Sequence, residues 1–170
     1  MHDDLQIFRL YELDKCVQDG QFPCRWIPDG GFGYGYPMFN FYPPLPYYPA
    51  EALHLLGVDL FTSVEIMFGL SFVLSGFFMY LLVKEFFGDL AGVVAAVFYV
   101  YAPYHSLDVY VRGAMNEAWG LVWFPLIFLY IYRLIDQKKD LKKNLSFLAL
   151  SVTALMLSHN PMTLIFAPVA

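Results

Sequence analysis

The chain has 170 residues, with 15 Asp or Glu against 10 Lys or Arg and a formal charge of −5. Apolar residues make up 59% and charged residues 15%, against roughly 45–50% and about 25% in an ordinary soluble domain. That balance argues against a disordered chain, a soluble enzyme domain and, by its acidity, a nucleic-acid binder; it points to an integral membrane protein.

The two parts of the chain differ. Residues 1–59 hold eight acids, three bases and most of the Pro, and residues 60–170 hold the long apolar runs. Asp3 to Asp19 reads as a helix, with Asp3 or Asp4 as its cap and Gly20 as its stop. Leu5, Phe8, Tyr11 or Glu12, and Cys16 fall along one side, a pattern that suits a membrane surface. Cys16 and Cys24 lie eight residues apart, a spacing that fits no metal motif. They pair if their segment faces an oxidising compartment; the alternative is two free or buried thiols.

Residues 21–49 hold seven Pro and four Gly. No helix is expected through such a segment, and Pro removes the donors a central strand needs. Nine aromatic residues lie between Trp26 and Tyr48. Two readings stay open: an interfacial loop packed by its own rings, or a wall for a lipid-linked or sugar ligand that stacks on them. A glycine-rich phosphate loop is disfavoured, because GGFGYG leads into Tyr36-Pro37 and not into a helix.

The first apolar run, Leu60–Val83, exceeds the roughly 20 residues that cross a hydrocarbon core, and carries one charge, Glu65, near its start. The second, Leu90–Pro103, is shorter. It spans if Tyr104 and its neighbours extend it, or if it ends in a protein-lined cavity. The third is Ala118–Ile135, with Pro125 as the expected kink, and the fourth is Leu145–Leu157. A further run opens at Met162. With no spanning helix before residue 60 and an open run at Ala170, the chain reads as a fragment of a larger protein.

Arg133, Lys138, Lys139, Lys142 and Lys143 put half of the 10 bases in one short loop, which the positive-inside rule assigns to the cytoplasm. Alternation then puts the Lys84–Asp89 turn on the same side. Residues 1–59, Tyr104–Glu117 and Ser158–Pro161 fall on the extracytoplasmic side.

Tyr104–Glu117 carries His105, Asp108, Arg112, Asn116 and Glu117. Arg112 is the only base between Lys84 and Arg133. At a membrane boundary it needs an anionic partner: Asp108, Glu117 or a ligand phosphate, which its planar fork suits. His159 opens the last loop, either as a helix-end group or as a ligand-binding residue. His2, His54, His105 and His159 form neither H-x-H nor H-E-x-x-H, so no zinc site is legible. A divalent cation, Mg²⁺ or Mn²⁺, held by carboxylates with Asp3 among them, stays a candidate. No Ser-His-Asp or G-x-S-x-G pattern is present.

His2-Asp3-Asp4, Gly20-Gln21-Phe22-Pro23 with Arg25-Trp26, Gly33-Tyr34-Gly35-Tyr36-Pro37, Phe41-Tyr42-Pro43-Pro44-Leu45, and Arg112-Gly113-Ala114 with Glu117 form a recognisable set. In these segments the chain resembles large prokaryotic multi-pass proteins of the GT-C glycosyltransferase-like type. More narrowly, it is similar to the membrane domain called 6-pyruvoyl-tetrahydropterin synthase-related. The resemblance covers nearly the whole chain and is most specific over residues 20–45. It implies a large first extracytoplasmic loop that opens with an acid acting as catalytic base or metal ligand. It also implies a polyprenyl-phosphate-linked sugar as donor. On this sequence the acid is Asp3, with Asp4 second, and Arg112 is the candidate for the donor phosphate. Glu117, Arg25, Trp26, Tyr42 and His159 are the further substrate-binding candidates. A pterin synthase is not implied: those enzymes are soluble and hold zinc through three histidines, and this chain matches neither property.

The expected fold is therefore all-α, a polytopic transmembrane helix bundle with a large extracytoplasmic first loop. Residues 1–59 form that loop, and residues 60–170 form about four helices and the start of a fifth. The expected function is sugar transfer from a polyprenyl-phosphate donor at the outer face, for cell-envelope glycans. It needs a carboxylate for the acceptor proton, an Arg or cation for the leaving phosphate, and an apolar groove for the prenyl chain. The alternatives are a membrane transporter, in which Glu65 marks an ion path, and a non-catalytic assembly protein whose aromatic loop binds a partner.

Overall fold

A computed structural model describes residue 3 and residues 5–136 and 140–168. Of the residues singled out above, His2, Asp4, Lys138 and Lys139 lie outside these. The chain is all-α: among the described residues the only β pairing is a single bridge between Ile27 and Tyr36.

The first helix, α1 (Gln6–Gln18), starts two positions after the expected cap. Leu5 occupies the cap position and no side chain bonds there, so Asp3 is not a capping residue. The helix buries one face and exposes the other. Leu10, Leu13 and Cys16 point inward together with Gln6, Glu12 and Asp14, while Leu5, Phe8 and Tyr11 are exposed. The reason is tertiary. Cys16 is disulfide-bonded to Cys24, and the helix packs on α3 (Tyr47–Leu55) and α4 (Leu60–Phe87).

The Pro-rich segment holds a 3₁₀ turn at Gly31–Gly33 and one short helix, α2 (Met38–Phe41). Its end was expected to be irregular, yet α3 begins at Tyr47 and includes Pro49. Pro49 falls in the first turn, where a helix has no use for the missing N–H.

Asp59 starts α4 by accepting from the Thr62 amide at 3.0 Å. Its 28 residues reach about 42 Å at 1.5 Å each, more than a hydrocarbon core requires. At Gly88 the backbone takes φ +83, a conformation glycine reaches without strain, and the chain turns back into α5 (Asp89–Val100). Small residues let the two helices approach. A Cβ on Gly92 would come within 3.0 Å of the Tyr80 carbonyl oxygen, and one on Gly76 within 2.9 Å of Val100.

The second apolar run is long enough to span only when α5 is joined to Pro103–Arg112, which bends from it by 41°, as a broken span or a re-entrant loop does. That stretch comprises α6 (Pro103–Ser106) and a π-helical turn, Leu107–Arg112. The helix α7 (Met115–Asp136) runs through Pro125. It is followed by α8 (Leu141–Ser158) and α9 (Asn160–Phe166). By length and composition α4 and α7 can cross a membrane, and the bent pair is a third candidate. The fourth run falls short of that criterion because Lys142, Lys143 and Asn144 occupy the first turn of α8.

Two clusters hold the molecule together. Leu10, Leu13, Tyr47, Met67, Met115 and Trp119 belong to the larger, where Trp119 Nε1 donates to the Met67 carbonyl at 3.1 Å. Leu121, Ile127, Leu155, Met162 and Phe166 form the other. Val73, Phe77, Leu90, Val97 and Phe98 are exposed and give α4 and α5 an apolar outer face. The N-terminal part is fastened to the ends of α7 and α8: Asn116 Nδ2 donates to the Pro43 carbonyl at 2.7 Å, and the Leu45 amide to the Leu157 carbonyl at 3.0 Å.

Candidate functional site

The π turn sets the geometry of Arg112. Gly113 follows with φ +68, and α7 begins two residues later. Arg112 Nη1 reaches Asp108 Oδ1 at 2.7 Å and Glu117 Oε2 at 2.6 Å. The other oxygen of Glu117 accepts from the Tyr104 hydroxyl. Asp108 is fully buried and Glu117 nearly so, while the Arg112 side chain is 43% exposed. One cation thus serves two carboxylates. Buried charges of this kind persist only when paired, so the guanidinium is needed for the turn itself. The second oxygen of Asp108 has no hydrogen-bond partner among the described residues.

Arg112, Glu117 and Tyr104 line a cavity of about 540 Å³ together with His159, Leu121, Phe124, Met162 and Ile165. His159 Nδ1 accepts from the Met162 amide at 3.1 Å and so caps α9. In the neutral ring this places the proton on Nε2, assigned from that hydrogen bond. The cavity lining therefore combines a guanidinium, an imidazole, a phenol and a carboxylate with aliphatic and aromatic side chains.

Asp3 is joined to Arg112 through the backbone: its amide donates to the Arg112 carbonyl at 2.8 Å. Its carboxylate faces elsewhere. Oδ2 accepts from Arg9 Nη1 at 2.8 Å and from Gln6 Nε2 at 2.9 Å. Gln6 Nε2 also donates to the Gly113 carbonyl at 2.8 Å, and Gln6 Oε1 accepts from the fully buried Tyr47 hydroxyl. Arg9 donates to the Tyr42 hydroxyl at 3.0 Å and lies 4.2 Å from the centre of the Tyr42 ring. Burial pushes the Tyr42 and Tyr47 phenols up from their ordinary value, so both stay protonated at neutral pH.

Asp3 lines a separate cavity of about 240 Å³ with Glu65, Phe61 and Phe68. Tyr42 and Arg9 line a third, of about 320 Å³, with Phe8, Tyr36 and Phe41.

The sequence candidates thus separate. Arg112, Glu117 and His159 share one cavity, and Asp3 and Tyr42 share Arg9. Trp26 lies over Gly35 near the disulfide, and Arg25 is exposed beside it. Neither lines the cavities of Asp3 or Arg112. Asp4 falls outside the described residues. Sequence reasoning missed Gln6, Arg9, Tyr47 and Tyr104. The one available signal was Arg9, a base in a segment dominated by acids.

Among the described residues no three His, Cys, Asp or Glu converge as ligands, and Asp3 Oδ2 accepts from both Arg9 and Gln6.

A family model described as the 6-pyruvoyl-tetrahydropterin synthase related domain, a membrane protein family, matches residues 39–170. No curated protein and no solved structure matches the chain.

Proposed function

Since the chain belongs to the 6-pyruvoyl-tetrahydropterin synthase related family of membrane proteins, we propose that it carries part of an outer-face site that takes a sugar from a polyprenyl-phosphate donor. The observation that carries this reading is the Arg112 cavity, lined by a guanidinium and by the apolar side chains of Leu121, Phe124, Met162 and Ile165. A phosphate-headed lipid has the same two halves. The Cys16–Cys24 disulfide supports an oxidising, extracytoplasmic setting for the first segment. Arg133, Lys142 and Lys143 lie at the far ends of α7 and α8, which supports a cytoplasmic side there.

In this reading Arg112 and His159 Nε2 bind the donor phosphate. A carboxylate takes the proton of the acceptor hydroxyl, whose oxygen bonds to the anomeric carbon. The bond from that carbon to the phosphate oxygen breaks, and polyprenyl phosphate leaves with its charge held by Arg112. Glu117, whose Oε2 pairs with Arg112 and whose Oε1 accepts from Tyr104, is the base that shares this cavity, whereas Asp3 lines another. Asp3 positions Arg112 through the backbone bond.

The test is thermal stabilisation of the purified protein in detergent by polyprenyl phosphate. Binding to the native state raises its melting temperature by mass action. A shift present in the wild type and lost in Arg112→Ala supports the reading. No shift in the wild type would overturn it and favour transport through the Asp3–Glu65 cavity, read as loss of proton-coupled flux in Glu65→Gln.

A further inference from the structure

Three carboxyl groups lie buried along α1 and α3, apart from the Asp3–Arg9 pair. Glu12 and Asp14 belong to α1, and Glu51 belongs to α3. Glu51 is 2% exposed and neither of its oxygens has a hydrogen-bond partner among the described residues. Glu12 is fully buried. One of its oxygens accepts from the Asp29 amide at 3.3 Å, and the other has no partner. Asp14 accepts at both oxygens from Gln18 Nε2 at 2.8 Å and faces Glu51.

A buried carboxylate with no donor is strongly disfavoured; it must find a counter-charge, a cation or a proton. The charges that act on Glu51 are Asp14 from α1 and, with opposite sign, His54 from its own helix. His54 is committed through Nδ1 to the Val58 carbonyl at 2.8 Å. Lys15 is held by Asp29 in the loop, and Asp59 of the α4 cap is held by Thr62. Glu65, the other acid near the start of α4, lines the Asp3 cavity. No set of three ligating residues converges among the described residues, so a cation is not the expected neutraliser. A proton is left. Two carboxyl groups in contact satisfy each other only when one of them is protonated and donates.

We propose that Glu51, buried beside Asp14, keeps its proton and acts as a pH-sensitive latch between α1 and α3 on the outer face of the membrane protein. Closed, the latch clamps α1 onto α3, and with it the Tyr47–Gln6 bond and the Gln6–Gly113 bond that hold Asp3 against Arg112. Loss of the proton leaves two facing carboxylates in a buried interface and loosens it.

Burial and Asp14 raise the Glu51 carboxyl to about 7, against an ordinary value of about 4.5. The sign follows. Below about 4.5 both the folded and unfolded chains are protonated at this group. Between about 4.5 and about 7 only the folded chain keeps the proton, so stability falls as pH rises through this window and levels off above it.

The experiment is a melting-temperature series from pH 5 to pH 8 on the full chain in lipid nanodiscs, for wild type, Glu51→Gln and Asp14→Asn, with and without Ca²⁺. The expected wild-type melting temperature falls by several degrees across the series. Both variants flatten the slope, and Glu51→Gln at pH 8 is at least as stable as the wild type. At fixed pH 8, trypsin cuts the wild type after Lys15 faster than it cuts Glu51→Gln. A flat wild-type profile, or a slope that survives in both variants, overturns the proposal. So does Ca²⁺ stabilisation at pH 8 that Glu51→Gln abolishes, since it would make the neutraliser a metal. None of these readouts depends on polyprenyl phosphate, so the latch and the donor site fail separately.

Discussion

The backbone amide of Asp3 donates to the carbonyl oxygen of Arg112, tying the first described residue of the chain to the turn that carries the cavity's guanidinium. Through Gln6 and Gly113 the same tie is made a second time. The start of α1 and the start of α7 are therefore one mechanical unit, although Asp3 and Arg112 direct their side chains into different cavities.

Arg112 holds two buried carboxylates, and its removal exposes both to an uncompensated charge. Arg112→Ala is expected to lower stability by about 2–3 kcal/mol, less than a fully buried pair because the guanidinium is partly in water. Arg112→Lys keeps the charge but not the two-way fork and is expected to lose about half as much. Adding Asp108→Asn to Arg112→Ala should restore part of the loss. Melting curves in detergent of the three variants test this order.

The two carboxylates are separable by substitution. If Glu117 is the base, Glu117→Gln reduces sugar transfer by about 100-fold or more, in the range typical of general-base removal. Asp3→Asn then reduces it far less and mainly by loosening the contact to Arg112. A transfer assay with a polyprenyl-phosphate sugar, run beside melting curves, decides it; a larger loss in Asp3→Asn than in Glu117→Gln would return the base to Asp3.

Tyr47 is fully buried and its hydroxyl is the donor to Gln6. Tyr47→Phe leaves Gln6 Oε1 without that donor, at an expected cost of about 1–2 kcal/mol. The phenol never ionises in the accessible range, so the loss should be the same at pH 6 and pH 8. This distinguishes it from the Asp14–Glu51 contact on the same pair of helices.

The Cys16–Cys24 bond closes a short loop between residues 8 apart in sequence. Its removal by Cys16→Ser with Cys24→Ser is expected to cost about 2–3 kcal/mol, from the freedom returned to the unfolded chain. A reductant should lower the melting temperature of the wild type to that of the double variant and leave the variant unchanged.

The parts legible in the sequence were those set by long-range composition. Leu60–Val83 and Ala118–Ile135 exceed what a soluble helix needs and became α4 and α7. Arg112 stood out as the only base between Lys84 and Arg133, and its two candidate partners, Asp108 and Glu117, both bind it. What was not legible was decided by tertiary contacts. The inward face of α1 is chosen by the disulfide and by α3, not by its weak apolar periodicity, so Leu10 and Leu13 carry the packing while Leu5 and Phe8 stay on the outside. Pro49 hid α3, because a proline in a first turn and a proline in a loop look alike without the following turns. Gln6 and Tyr47 meet only in the folded chain, and neither carries a signal alone.

The six-residue turn Leu107–Arg112 is wound one residue wider than an α-helix. Each residue of an α-helix advances about 100° around the axis. Deleting a single residue such as Val109 or Tyr110 would let the turn tighten, and Arg112 would swing by that angle relative to Asp108 and the start of α7. The cavity would keep its apolar lining and lose its cation. One residue of length, without any change of chemistry, separates a charged pocket from a greasy one.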